Sequence, residues 1–244
     1  MKLTILGYWG GTPHQGRGTS AYLIEAQGER LLLDFGSGAM AQLSTICPLT
    51  AINYGILSHW HFDHMADLGI FQYGLTRLKR LGQLPHPIPL FMPSEPASLK
   101  ANYLDPVVSP IDIDPSQSYQ EGPFVINFFS VQHTIPCYAV RIQAGEKTLV
   151  YSADSQYFSA LADFARDCDL FLCETTVVQG SNHTSGKGHM DGYQAGSLAQ
   201  KAQAKNLILT HLPNDGDLNR IKTEASQAYS GPIHLASDLI IFEL

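Results

Sequence analysis

At 244 residues, with 44% apolar and only 15% charged side chains, the chain can bury a substantial core, which excludes intrinsic disorder. Its formal net charge of −7 is spread without an acidic tail and argues against an extended nucleic-acid surface, which would carry a basic footprint. No apolar stretch approaches the ~18 residues of a membrane span.

In chain order, the opening residues 2–7 read as a first strand, too short in their apolar part for a signal peptide. Strands at 20–26 and 30–34 flank the hairpin turn Gln27-Gly28-Glu29, and a further strand covers 52–57. Helical spacing of apolar residues follows at 65–81 and 95–103. Arg77, Lys79 and Arg80 then fall on a solvated helix face. The stretch 106–122, rich in Pro, Asp and Ser, reads as a long loop at the joint between two halves. Beyond it come strands at 124–131, 139–144 and 148–152, a helix at 158–165 and a strand at 169–173. A helix at 192–204, a strand at 206–210, a helix at 218–229 and a strand at 239–243 complete the chain. This alternation predicts α/β layers rather than a bundle or sandwich of one element type. Cys47, Cys137, Cys168 and Cys173 lack CxxC spacing and read as reduced core residues of a cytoplasmic protein.

The run Ser58-His59-Trp60-His61-Phe62-Asp63-His64 follows the fourth of these strands, ending at Leu57. With 10 histidines and 14 aspartates in the chain, a chance HxHxDH match has a probability of roughly 0.001. A strand followed by a tight turn would bend the four polar side chains toward one point. Other apolar runs also end in metal-capable residues: His133, Asp154 and His211 each lie just past one. Strand-end loops on a rigid sheet are where ligand and catalytic groups sit, whereas a core histidine falls inside a run. His59, His61 and His133 could hold one ion, and Asp63, His64 and His211 a second. Asp154 is the natural bridge, since a carboxylate offers one oxygen to each metal. The set is all nitrogen and oxygen, which suits zinc, manganese or iron. Two such ions roughly 3.5–4 Å apart share a hydroxide whose pKa falls toward 7, a nucleophile for an ester-like or phosphodiester bond.

On these residues the chain resembles the metallo-β-lactamase superfamily, whose central metal motif is HxHxDH. The likeness covers essentially the whole chain, including Gly7-Tyr8-Trp9-Gly10-Gly11-Thr12-Pro13 and Leu33-Asp34-Phe35-Gly36-Ser37-Gly38. It implies one hydrolase domain over residues 1–244, a four-layer αββα sandwich of two βα halves with two divalent metals at one rim. Zinc is the first expectation for the metals and manganese the second. Within the superfamily the chain is most similar to the tRNase Z branch and its small phosphodiesterase relatives. Cys173-Glu174-Thr175-Thr176 stands at the place of that branch's HEAT motif, and Gly188-His189-Met190 at that of GHST. The resemblance implies a Glu174–His189 dyad in which His189 gives a proton to the leaving oxygen, and it puts Asp63 beside them as a third catalytic candidate. It also implies a homodimer, for which the residues themselves offer no argument.

The sequence departs from that pattern where CETT replaces HEAT and GHMD replaces GHST. Only 21 positions separate His133 from Asp154, room for two short strands but not for the long tRNA-gripping arm of tRNase Z. With the −7 charge, this argues against extended tRNA binding and for a small-molecule phosphodiester such as a cyclic nucleotide. Hydrolysis of a carboxylic ester, thioester or lactone at the same metals, or RNA processing of the tRNase Z type, is the alternative; a metal-stabilised binding protein without turnover is a third. Asp34 reads as a partner orienting a metal-bound histidine. The glycines at 7, 10, 11, 36 and 38 read as turn formers near the metals. Arg17 reads as an exposed arginine, and Arg141 either binds a phosphate or braces a sheet face. His14, His86 and His234 read as surface or core residues, His183 as part of a polar loop at the pocket entrance, and Asp67 as a solvated helix carboxylate.

Overall fold

The computed structural model describes residues 1–104, 106–179, 187–238 and 241–244. The first sheet contains β1 (Lys2–Trp9), β2 (Gly18–Thr19), β3 (Ala21–Ala26), β4 (Glu29–Leu33), β5 (Tyr54–Ile56), β6 (Ile88–Met92) and β7 (Val108–Asp112). The second contains β8 (Ser118–Glu121), β9 (Phe124–Ser130), β10 (Tyr138–Ala144), β11 (Lys147–Tyr151), β12 (Leu170–Glu174), β13 (Leu207–Thr210) and β14 (Ile233–Leu235). A last strand, β15 (Ile241–Glu243), returns to the first sheet antiparallel to β1. Among the described residues the orders are β15-β1-β3-β4-β5-β6-β7, with β2 beside β1, and β14-β13-β12-β11-β10-β9-β8. The helices are α1 (Ala39–Leu43), α2 (Phe62–Met65), α3 (Leu68–Arg80), α4 (Ala97–Lys100), α5 (Ala160–Phe164), α6 (Gly192–Ala202) and α7 (Leu218–Ser226). None is long and apolar enough to cross a membrane among the described residues.

Strand periodicity explains the layering. Along β3 and β4, Tyr22, Ile24, Leu31 and Leu33 join a core shared with Phe124, Ile126, Val140 and Leu149 of the second sheet. The alternate residues Leu23 and Leu32 pack instead with Leu68, Phe71 and Leu75 of α3. A strand covered on both faces becomes a continuous apolar run, which is why residues 31–33 read Leu-Leu-Leu. Helix α3 buries Leu68, Phe71, Leu75 and Leu78 along one stripe and turns Ile70 and Tyr73 to solvent. Its last turn carries Arg77, Lys79 and Arg80, which complement the carbonyl end of the helix dipole. Leu161, Leu198 and Ile221 of α5, α6 and α7 belong to the core cluster of the second sheet. The result is the expected αββα sandwich.

Several expectations need correction. The stretch 106–122 is not a long loop: it carries β7, the edge of the first sheet, and β8, the edge of the second. Pro110 lies within β7, where an edge strand tolerates a residue without an N–H. Strand β6 lies between the expected helices, in a stretch to which the sequence assigned no element; it pairs with β5 only at Leu90 and Phe91, beyond Pro89. The helix expected at 65–81 is α3, which starts only at Leu68 after the cap residue Asp67; Met65 closes the separate turn α2. Expected helix 95–103 is one α-turn followed by a 3-10 turn at Ala101–Tyr103. Strand β14 and helix α1 carry too little periodicity to be legible. Leu239 and Ile240 of the last expected strand lie outside the described residues.

The helix–sheet packing is testable. Phe71→Ala, at a fully buried position, is expected to lower the unfolding free energy by about 3–5 kcal/mol, whereas Tyr73→Ala on the same helix should change it by less than about 0.5 kcal/mol. Urea denaturation followed by circular dichroism measures both.

Candidate metal centre

Strands β9, β11, β12 and β13 run in one direction, so their C-terminal ends share a rim. His133, Asp154 and His211 follow β9, β11 and β13, and Glu174 ends β12. The first sheet brings its own ligands through the segment after β5, where His59 lies between β5 and α2 and His61, on extended backbone, caps the single turn of α2. That turn lifts Asp63 and His64 toward the same rim. The two sheets are joined there by backbone bonds from Gly10 N to Leu212 O (2.9 Å) and from Tyr138 N to Ser58 O (3.2 Å).

All seven expected ligands are brought together, in two groups. The donor atoms of His59, His61, His133 and Asp154 lie within 4.8 Å of one another, as do those of Asp63, His64, Asp154 and His211. In the first group, His61 Nδ1 is 3.2 Å from His59 Nε2 and 3.0 Å from His133 Nε2. In the second, His64 Nε2 is 3.3 Å from Asp154 Oδ1, and His211 Nε2 is 3.3 Å from Asp154 Oδ2. Donors about 2.0–2.2 Å from a tetrahedral ion stand about 3.3–3.6 Å apart, so these spacings suit a metal of zinc's size. His64 Nε2 and Asp154 Oδ1 are both buried with no hydrogen-bond partner, an arrangement too costly to leave unfilled by a cation. The residues fit the metals that their chemistry implies.

Outer hydrogen bonds fix which nitrogen each ring presents. His133 Nδ1 donates to Gly188 O (2.9 Å) and His64 Nδ1 to Asp34 Oδ2 (2.8 Å). Ser58 Oγ donates to Asp34 Oδ2 (2.8 Å) and so accepts from His59 Nδ1 (3.0 Å). Thr176 Oγ1 donates to Glu174 Oε2 (3.1 Å) and so accepts from His211 Nδ1 (2.6 Å). Each of these rings keeps Nε2 for the centre, while His61 turns Nδ1 inward. Two glycines allow the close approach. A Cβ on Gly10 would stand 2.8 Å from the His211 ring, and one on Gly188, whose φ is +87°, would stand 2.5 Å from His133 Nδ1. Gly11 N donates to Asp63 Oδ2 (2.8 Å), so this glycine holds a ligand carboxylate as well as forming a turn.

Burial holds the His59, His61 and His133 imidazoles below the ordinary histidine range, with their lone pairs free at neutral pH. Burial acts the same way on His64, but the Asp154 and Asp34 carboxylates overcome it and raise that ring well above the usual range. The potential that favours a proton there favours a metal cation in its place. Asp63 is held far below the carboxylate range, against burial, by its hydrogen bond to His211 and the neighbouring His64.

Glu174 is fully buried and accepts at Oε1 from His189 Nδ1 (3.1 Å), Ser155 N (3.2 Å) and Met190 N (3.2 Å). His189 stands 4.0 Å from Asp154 Oδ2 and lines a cavity of about 780 Å³ with His61, Asp63, Asp154 and His211. Burial lowers the His189 pKa, but the Glu174 bond outweighs it and lifts the ring from 6.5 to about 9. The capping box of Asp191 and Gln194 at the start of α6 pins the chain just beyond it.

Several residues received no role from the sequence: Ser58 and Thr176 orient ligands, Tyr151 donates to Asp34 Oδ2 (3.1 Å), and Lys187 lines the cavity wall. Hydroxyl donors leave no spacing signal, although Ser58 directly precedes the HxHxDH run and Thr176 is the last residue of CETT. Asp34 is placed as expected, beside a histidine. Arg141 donates to Phe164 O (3.1 Å) and Arg166 O (3.0 Å), so it braces the end of α5. Asp67 is not merely solvated; it accepts from Met40 N (2.9 Å) and ties α1 to α3. His14 packs edge-on against Trp9, and His234 against Phe242. His183 and the rest of 180–186 lie outside the described residues.

A family model described as a beta-lactamase superfamily domain matches residues 29–212, and the chain belongs to this family. It is a metallo-hydrolase whose His/Asp centre suits divalent metals. Among its relatives is the probable metallo-hydrolase YhfI of Bacillus subtilis (strain 168), 34% identical over 247 residues and 100% of both chains. The crystal structure of that metallo-beta-lactamase fold protein matches with a TM-score of 0.94 at 32% identity, over 100% of this chain and 99% of the other. Ribonuclease Z of Myxococcus xanthus (strain DK1622) is 23% identical over 100% of this chain and 98% of its own. The short form of human tRNase Z shares the fold, with a TM-score of 0.75 at 20% identity over 100% and 99% of the two chains.

The grouping makes distinct metal contents the expected outcome for two variants. Wild-type protein should retain about two divalent ions per chain, His64→Ala about one, and Asp154→Ala fewer than one. Elemental analysis after purification without chelators measures this; equal contents in all three proteins would contradict the grouping.

Proposed function

We propose that the chain is a dinuclear, zinc-dependent phosphodiesterase acting on small phosphodiesters such as cyclic nucleotides. His59, His61 and His133 would hold one ion, Asp63, His64 and His211 the other, with Asp154 shared. The observation that carries this reading is the pair formed by buried Glu174 and partly exposed His189 beside the ligand groups, with His189 4.0 Å from Asp154. Bound divalent ions supply Lewis acidity and lower the pKa of a water at neutral pH. Glu174 holds the Nδ1 proton of His189, which leaves Nε2 to carry the proton needed by a leaving alkoxide. As the ester P–O bond breaks, that proton passes to the departing oxygen. Water's oxygen ends on phosphorus, and one of its protons restores His189.

A cavity of about 780 Å³ suits a mononucleotide-sized ligand, and Lys187 at its wall offers a positive charge to an anionic ester. Between His133 and Asp154 the chain forms only β10, a turn at Gly145-Glu146, and β11, which leaves no arm to grip a tRNA. The ribonuclease Z relative supports phosphodiester chemistry over lactone or thioester cleavage.

His189→Ala is expected to slow hydrolysis of a cyclic nucleotide by about 10²–10⁴-fold and to leave metal content unchanged. A bis-aryl phosphodiester, whose leaving group needs little protonation, should lose less, and a lactone should show no selective loss. Steady-state assays with Zn²⁺ and Mn²⁺ in parallel make the comparison. Phosphodiester turnover that is unmeasurable in metal-replete wild-type protein would sink the proposal.

The acid must be protonated to act, so turnover should fall as pH rises through the His189 pKa. The alkaline limb is expected between 6.5 and about 9, toward the lower end once bound cations oppose the effect of Glu174. A pH profile of kcat should show this limb in wild-type protein and lack it in His189→Ala.

A further inference from the structure

The ligands come from two sheets, and apolar contact between sheets is non-directional, so it does not by itself hold donor atoms to the tolerance of a metal site. Two fully buried tyrosines cross between the sheets near these ligands. Tyr151, on β11 of the second sheet, donates to Asp34 Oδ2 (3.1 Å), which follows β4 of the first. Tyr22, on β3 of the first sheet, shares a hydrogen bond of 2.7 Å with Thr210 Oγ1, on β13 of the second. Their rings lie 5.3 Å apart, so the two bonds run in opposite directions through one point of the core.

Each bond ends on a residue joined directly to a ligand. Asp34 accepts from His64 Nδ1 and, through Ser58, sets His59, so one carboxylate orients a histidine of each group. Thr210 immediately precedes His211. Asp34 and His211 both hold left-handed backbone, with φ of +59° and +50°, which costs about 1–3 kcal/mol each and persists only where surroundings over-determine it. A tyrosine hydroxyl therefore fastens the chain at or beside each of these strained positions. A phenylalanine would fill the same volume, so packing does not account for either hydroxyl.

We propose that Tyr22 and Tyr151 are positioning residues that lock the two sheets in register beneath the metal centre through Thr210 and Asp34. The proposal rests on the metal-centre reading above. Loss of either bond leaves the backbone bonds at the rim to hold one sheet's ligands against the other's, which loosens their spacing and weakens metal binding more than it weakens the fold.

The test is Zn²⁺ affinity by competition with a chromophoric chelator, for Tyr151→Phe, Thr210→Val and Thr210→Ser. Thermal melts of the metal-free proteins and the visible spectra of Co²⁺-loaded proteins accompany it. The expected result is about 10-fold weaker binding of at least one Zn²⁺ in Tyr151→Phe and Thr210→Val, with an altered Co²⁺ spectrum. Thr210→Ser, which keeps the hydroxyl, should bind as wild type does. Wild-type Zn²⁺ affinity and an unchanged Co²⁺ spectrum in both hydroxyl-deleted variants, whatever their melting temperatures, would overturn the proposal. Wild-type protein that binds no Zn²⁺ would overturn the underlying metal-centre reading, and this proposal with it.

Discussion

The Asp154 carboxylate is the point on which the structure turns. It is buried, its Oδ1 faces His64 and its Oδ2 faces His59, His133 and His211, so donors from both sheets converge on one side chain. A carboxylate so enclosed is stable only with compensating positive charge. His59 and His133, which burial keeps neutral, do not supply it, and the charge that Asp154 and Asp34 draw to His64 is that of a proton standing where a metal cation can take its place. A divalent cation on each side would, and the fold supplies what that needs: parallel strand ends on one rim, one helical turn after β5, and two sheets fastened to each other at the same edge.

Backbone strain gathers where this convergence is demanded. Asp34, Ala153 and His211 all adopt left-handed backbone, each at or next to a residue of the centre. These conformations aim side chains that ordinary strand geometry would leave on the sheet faces. The surrounding bonds keep them there: four donor atoms on Asp34, and Thr176 against the His211 ring. Stability is spent where chemistry needs geometry, a pattern seen when strained positions cluster at functional sites.

The candidate metal centre and the Glu174–His189 pair are mechanically continuous. Thr176 binds Glu174 with its hydroxyl proton and His211 with its lone pair, and the Gly188 carbonyl that fixes His133 precedes His189 in the chain. The rings of His211, His133 and His189 are therefore held by the same short segments.

Much of this was legible in the chain itself. Continuous apolar runs marked most of the inner strands, because a residue buried on either face must be apolar whatever its neighbours. The HxHxDH run and the strand-end residues His133, Asp154 and His211 disclosed the donor set, since ligand chemistry restricts residue type. Strands β6 and β7 escaped because their prolines imitate loops, and Tyr151, Ser58 and Thr176 escaped because a hydroxyl donor has no characteristic spacing. By itself the sequence determined which atoms could bind metal and which fold could carry them. Only the tertiary structure decided how they divide into two groups, which nitrogen each ring presents, and which hydroxyls hold them. Those choices depend on distances between segments far apart in the chain, and such distances exist only once both sheets are packed.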